Sequence, residues 1–345
     1  MNYEDLIMAY TIYDISKEAG VSTATVSRVL NGSDKVKPAT KEKILEIMKK
    51  HNFAPNASAR AMKIQASKTI GILCPDSSDL FYSKAVHNVE QQLQKHGYEA
   101  LICSAGYNKD IQKNFVDLII SQKVDALILV GSDFIGTTED EKQYIKEASE
   151  YMPILLMNSA FDYPNVYSVL CDDYASTFEA TSSMIESGIK DILYLYNSHS
   201  YSAIKKLNGY KGAMERYHIK DYEKLIYHYH QKSERFSDVV SYIDSIVQSG
   251  QQFHGIICSN DAMALGCIKY AQLNGIRVPE DLSIIGYNNS FLTDCCIPDL
   301  SSVDNQVKAQ AEAIVQVLLG VLSGEDMPQR TVFPGKLIKR GSTLF

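Results

Sequence analysis

From Lys68 onward the chain repeats one pattern that leaves few folds open to it. Short apolar runs, TIGILC (69–74), EALICSA (99–105), VDALILV (124–130) and PILLMN (153–158), are separated by segments of helical period at 82–96, 109–122 and 140–151. A second set follows: YSVLCD (167–172), DILYLY (191–196), KLIYHY (224–229), GIICSN (255–260) and LSIIGYN (282–288). Strand-like runs that are apolar on both faces and alternate with helices predict parallel sheets covered on each side. Two sets predict two doubly wound lobes. Open sheets of this kind bind ligands at the carboxyl ends of their strands, so the space between the lobes is the expected binding site.

The stretch before Lys68 follows different rules. In TIYDISKEAGVSTATVSRVL the apolar Ile12, Ile15 and Ala19 recur at helical spacing behind Thr11, a good N-cap. Gly20 can take the left-handed conformation that ends this helix, Val21 fills the angle, and Ser22 caps a second helix at 23–30 whose Val26, Val29 and Leu30 face inward. This is helix-turn-helix spacing. The outward face of the second helix carries Thr23, Ala24, Ser27 and Arg28, small groups and one forked donor that fit a DNA major groove. Pro38 starts a third helix whose Ile44, Ile47 and Met48 close the core with Phe53, while Lys35, Lys37 and Thr40 stand at its entry, placed for phosphate oxygens. The following APNASARAM (54–62) has too few large apolar groups to form a helix without a partner.

Charge divides the same way. The whole chain carries −7, yet residues 11–63 hold ten Lys and Arg against five acids, a head of +5 on a body of −12. That asymmetry fits a DNA-binding module joined to a regulatory body. The opening MNYEDLIMAY places two acids where an export signal carries basic residues, and Met8 is a second candidate start. No run approaches the roughly 18 apolar residues of a membrane helix, so a cytoplasmic protein with no membrane partner is expected. Seven scattered cysteines without a CxxC pair predict reduced, buried thiols and neither a metal site nor a cofactor. Catalytic motifs such as GxSxG, HExxH, GxxxxGK[ST] and GxGxxG are absent, and the histidines of HYH (228–230) fall on a strand-like run, where outward histidines need no special role. An enzyme is not expected.

The chain resembles the lactose-repressor/galactose-repressor family of bacterial transcription regulators over about residues 11–345. The resemblance rests on TIYDISKEAGVSTATVSRVLNG (11–32), APNASARAM (54–62), SNDAMALG (259–266), GIRVPEDLSIIGYNN (275–289) and PDLSSV (298–303), in that order. It implies an all-α helix-turn-helix head (11–53), a hinge helix and linker (54–67), and an α/β core (68–345). The core would be two periplasmic-binding-protein-like lobes of type I joined by three crossovers, lobe one at about 68–165 and 303–323, lobe two at about 166–300 and 329–345. Thr23, Ala24 and Arg28 would face base edges of a double-stranded operator. Ser22, Thr25, Asn31, Lys35, Lys37 and Thr40 would meet phosphates. Asn56, Ala59 and Met62 of the hinge would enter the minor groove, with Met62 standing where family members usually carry a leucine wedge.

For the effector cleft the resemblance points to Phe81 and Tyr82, an aromatic pair, to Asn260 and Asp261, a polar pair at a strand end, and to Lys206 and Asn288. The last two depart from the family's usual arginine and aspartate, which makes a differently shaped clamp for a sugar or related metabolite. The chain's end, TVFPGKLIKRGSTLF, shows no heptad tail, so the implied assembly is a homodimer that binds a pseudo-palindrome as a repressor. The other reading weighed is a solute-binding protein built from the same two lobes.

Overall fold

The computed structural model describes residues 12–22, 25, 26, 29, 36–50, 67–136, 138–230 and 235–345. The head and the body, which begins at Ser67, form separate compact units. In the head, helix α1 spans Ile12–Ala19 and helix α2 spans Pro38–Lys50. Gly20 ends α1 at φ +70°, as the turn requires, and the Val21 amide reaches back to the Ser16 carbonyl at 3.0 Å. Ser22 then caps the next turn, its Oγ accepting from the Thr25 amide at 3.2 Å. Ile15, Ala19, Val26, Val29, Ile44, Ile47 and Met48 form one buried cluster, with Val21 and Val36 against it. Phe53, Leu30 and Thr11, which the sequence adds to this core and cap, lie outside the described residues.

The body contains two six-stranded sheets. The first is built from β1 (Thr69–Cys74), β2 (Glu99–Ser104), β3 (Ala126–Val130), β4 (Ile154–Met157), β5 (Val166–Cys171) and β11 (Arg330–Phe333), in the order β11-β5-β4-β3-β1-β2. The second has the order β12-β10-β9-β8-β6-β7, from β6 (Ile192–Tyr196), β7 (Ile226–His228), β8 (Gly255–Cys258), β9 (Ser283–Tyr287), β10 (Ser301–Asp304) and β12 (Lys336–Ile338). All pairings are parallel except β12 against β10. Helices α3 (Leu80–Lys95), α4 (Lys109–Ser121) and α5 (Gln143–Ser149) connect strands of the first sheet, α6 (Asp173–Glu186) leads from β5 to β6, and α7 (Tyr201–Arg216), α8 (Phe236–Gln248) and α9 (Asp261–Leu273) connect strands of the second. The period of two is plain in β6. Ile192 and Tyr194 enter one buried cluster with Tyr210 and Tyr287, while Leu193 and Leu195 enter another with Ile243 and Ile268.

The expected division between lobes is corrected at three places. Strand 166–171 pairs with β4 and strand 330–333 with β5, so both belong to the first sheet, not to lobe two. Residues 301–304 pair with β9 in the second sheet, so the chain leaves lobe two after Asp304 instead of before Val303. A strand's sheet is decided by its hydrogen-bonded neighbour, which the apolar character of the run does not reveal. The chain thus crosses between lobes after Cys171, after Asp304 through α10 (Val307–Ser323), and between Phe333 and Lys336. These crossings are tied together. The Asp172 amide donates to the Phe333 carbonyl at 2.8 Å, and the Gln306 side chain donates to the Pro334 carbonyl.

Gly209 shows how tightly the second lobe is built. A Cβ there would stand 2.3 Å from the Tyr174 carbonyl oxygen of α6, so α7 can cross α6 this closely only with glycine at the contact. Gly209→Ala is expected to lower the stability of the body by about 1–3 kcal/mol, the usual cost of overpacking, read as a lower urea midpoint at unchanged m. One turn before it on the same face stands Lys206.

Candidate functional site

The strands of both sheets end toward the space where the lobes meet, and the candidate cleft residues gather there. Asp79 caps α3, its Oδ1 accepting from the Phe81 and Tyr82 amides at 2.8 and 3.1 Å. This fixes the aromatic pair in the first turn, with their rings edge to face at 5.5 Å. The Tyr82 hydroxyl donates to Asp133 Oδ2 at 2.5 Å, and burial together with the Asp133 charge pushes that hydroxyl far up. Lys109 holds the same turn by donating to the Asp133 carbonyl. One residue away, Ser132 Oγ donates to Ser200 Oγ at 2.8 Å. That bond joins the end of β3 in the first lobe to the start of α7 in the second.

Across the cleft Lys206 is 8% exposed, an unusual degree of burial for lysine. Its Nζ donates to the Ser259 carbonyl at 3.2 Å and lies 3.7 Å from the centre of the Tyr287 ring, a close cation–π contact. The charge that acts on it most strongly is Asp173, whose Oδ2 accepts from Ser202 and Oδ1 from the Tyr287 hydroxyl, both at 2.6 Å. Burial pushes the Lys206 amine down and the Asp173 carboxyl up, and each charge opposes the other's shift. Asp173, Ser202 and Tyr287 therefore build a cradle around the lysine that sequence reasoning missed. The signal available was the pair Asp172 and Asp173 just after β5, which looks like any acidic helix start.

Asn260 and Asp261 stand where β8 runs into α9. Asn260 caps the helix through the Met263 amide at 2.9 Å. Asp261 is buried, and its carboxylate accepts from Ser302 Oγ at 2.5 Å and from the Ser290 amide at 2.6 Å. The structure thus gives both side chains a framework duty: Asn260 starts α9, and Asp261 holds the loop that follows β9. Asn288 lies on that loop at φ +100° and accepts from Asn305 Nδ2 at 3.1 Å. Asn288 and Phe81 line one cavity of about 760 Å³ together with Leu80, Phe291 and Val307. Lys206 and Tyr82 do not border that cavity.

In the head, Ser22 and Thr25 share a hydroxyl hydrogen bond of 2.9 Å, and Lys37 and Thr40 sit at the N-terminal end of α2, with Lys37 exposed. Thr23, Ala24, Arg28, Asn31, Lys35, Asn56, Ala59 and Met62 lie outside the described residues. Among the described residues no helix is long and apolar enough to cross a membrane, and no cluster of His, Cys, Asp and Glu converges as a set able to hold a metal ion.

A helix-turn-helix core followed by two lobes that meet around a buried polar cleft defines a DNA-binding regulator with an effector-binding body. Comparison with known proteins gives the family. Residues 11–56 match the model for bacterial regulatory proteins of the lacI family, and residues 181–343 match the periplasmic binding protein-like domain. The chain is 41% identical over 334 residues to an HTH-type transcriptional regulator of Lachnoclostridium phytofermentans, covering 97% of this chain and 99% of the relative. It is 30% identical over 339 residues to catabolite control protein A of Staphylococcus xylosus, covering 97% and 100%. The lac repressor dimer bound to operator and the anti-inducer ONPF has the same fold, with a TM-score of 0.73 at 23% identity over 97% of this chain and 99% of that one. The chain belongs to the lacI family of bacterial regulatory proteins, and it is a transcription regulator, not an enzyme.

Proposed function

We propose that the protein is a cytoplasmic repressor that binds a pseudo-palindromic operator as a homodimer and is released or retained by a small effector in the interlobe cleft. In this reading Arg28 forks onto a guanine edge beside Thr23 and Ala24, while Ser22, Thr25, Asn31, Lys35, Lys37 and Thr40 fix the register on phosphates. Asn56, Ala59 and Met62 enter the central minor groove when the two hinges are brought together. Rotation of the lobes about the three tied crossings changes the spacing of those hinges, which couples effector to operator.

The observation that carries the effector half is Lys206, a buried ammonium that donates to the Ser259 carbonyl and, among the described residues, to no other acceptor, laid on the Tyr287 ring beside Asp173. Its remaining donors suit the hydroxyl and ring oxygens of a sugar or related polar metabolite, with Phe81 and Tyr82 supplying an apolar face from the other lobe and Asn260, Asp261 and Asn288 the far rim. A thermal-shift screen over sugars, sugar phosphates, nucleobases and amino-acid derivatives tests it. A true effector at 100 times its dissociation constant is expected to add about 2.7 kcal/mol. Lys206→Ala is expected to abolish that gain, and a variant that responds like the parent places the effector elsewhere.

A further inference from the structure

Strand β7 is an edge strand of the second sheet and ends at His228. Around that imidazole other rings close in: His230 at 4.1 Å between centroids, His199 at 4.4 Å and Tyr196 at 4.7 Å. His199 also meets Tyr196 edge-on at 5.5 Å. The HYH run, unremarkable in sequence, is thus half of a histidine cluster whose other part comes from the segment joining β6 to α7. His228 takes a hydrogen bond with the Asn197 backbone, and its Nε2 is buried with no hydrogen-bond partner. Segment 197–200 is therefore attached to His228 through Asn197 and through the His199 ring. The next residue, Ser200, makes the bond to Ser132 of the other lobe.

We propose that this cluster is a proton-operated release for the contact between the lobes: protonation of His228 displaces segment 197–200 and detaches Ser200 from Ser132. A proton added to His228 creates an N–H at Nε2 where no acceptor waits, and a buried donor without a partner is costly. It also places a cation against the rings of His230 and His199, both of which disfavour the charged form of His228. Burial and the flanking His230 and His199 already hold the His228 imidazole below its usual range. The titratable groups that face it are Tyr196 on β6, His199 ahead of α7, His230 beyond β7 and Tyr242 on α8. Tyr242 donates to the His228 carbonyl at 2.9 Å, and Asp238 acts on Tyr229. Among the described residues no carboxylate stabilises the His228 cation, and the imidazoles do not converge as metal ligands. The ligand of this cluster is the proton.

The direction follows from linkage. A base whose pKa is lowered in the closed arrangement leaves that arrangement at full strength above the free imidazole value of about 6.5, and weakens it as pH falls through that value. The device is independent of what the effector is. Hydrogen exchange of segment 197–203 in the full chain, corrected for intrinsic rates, tests it between pH 8 and 6. Protection is expected to fall, with about fourfold as the limit set by a free imidazole near 6.5. His228→Phe, which keeps a ring, and His228→Gln are each expected to flatten the dependence. Ser132→Ala is expected to lower protection at both pH values. Constant protection in the parent, an equal fall in the folded His228 variants, or unchanged protection in Ser132→Ala would each overturn the proposal.

Discussion

Asp173→Ala is expected to destabilise the body by about 3–5 kcal/mol, the range for breaking a buried charge pair from one side. The carboxylate accepts from Ser202 and from the Tyr287 hydroxyl, and it is the main charge that supports the buried Lys206 ammonium. Alanine removes all three functions at once. Two hydroxyls lose their acceptor and the ammonium loses its strongest charge partner, while the Tyr287 ring and the Ser259 carbonyl remain against it. Asp173→Asn keeps the shape and one acceptor oxygen, so its loss is expected to be the smaller of the two. Urea unfolding of both variants at equal m gives the comparison. A loss below about 1 kcal/mol for the alanine variant would show that the pair carries no such coupling. Because Asp173 opens α6 directly after the first crossing, the same change is expected to loosen the lobes relative to one another.

How much of this was readable from residues alone differs between the head and the cleft. The head's turn was legible because each step is local: Gly20 for the left-handed turn, Ser22 for the cap, and Val26, Val29 and Ile44 at helical spacing for the core. The two-lobed α/β plan was legible for a similar reason, since periods of two and 3.6 alternate along the chain. Sheet membership was not. Val166–Cys171 is an apolar run like the others and Arg330–Phe333 a short half-polar one, and only their partners put them in the first sheet. The cleft divides likewise. Lys206 stood out because it replaces an expected arginine, but its cradle is made by bonds from Asp173 to Ser202 and to Tyr287, 29 and 114 positions away. The histidine cluster was passed over because His199 lies some thirty residues from its partners, and nothing local marks a ring that will stack. For Asp261 the sequence located the residue, whereas the geometry supplied the task of fastening Ser290 and Ser302.

Operator binding is expected to weaken about 150-fold between 50 and 200 mM salt if Lys35 and Lys37 of each head are the cations that displace counterions. A dimer then neutralises four phosphates. At a slope near −0.9 per phosphate, log affinity falls with log salt at about −3.6. The hydroxyl and amide contacts of Ser22, Thr25, Asn31 and Thr40 position the head without releasing ions, so they add affinity and leave the slope alone. Lys37 is exposed at the start of α2, outside the head's buried cluster, so Lys37→Ala leaves the fold intact while removing one cation from each head. That variant is expected to halve the slope to about −1.8, which reduces the salt effect over the same range to roughly 12-fold. Arg28→Ala is a different kind of loss. It removes a base-reading fork, so it is expected to narrow the gap between operator and unrelated DNA by about 1–3 kcal/mol per half-site. Fluorescence-anisotropy titrations at four salt concentrations separate the two. A Lys37→Ala slope equal to that of the parent would remove Lys37 from the phosphate set, and an unchanged specificity gap in Arg28→Ala would move base reading elsewhere on the head.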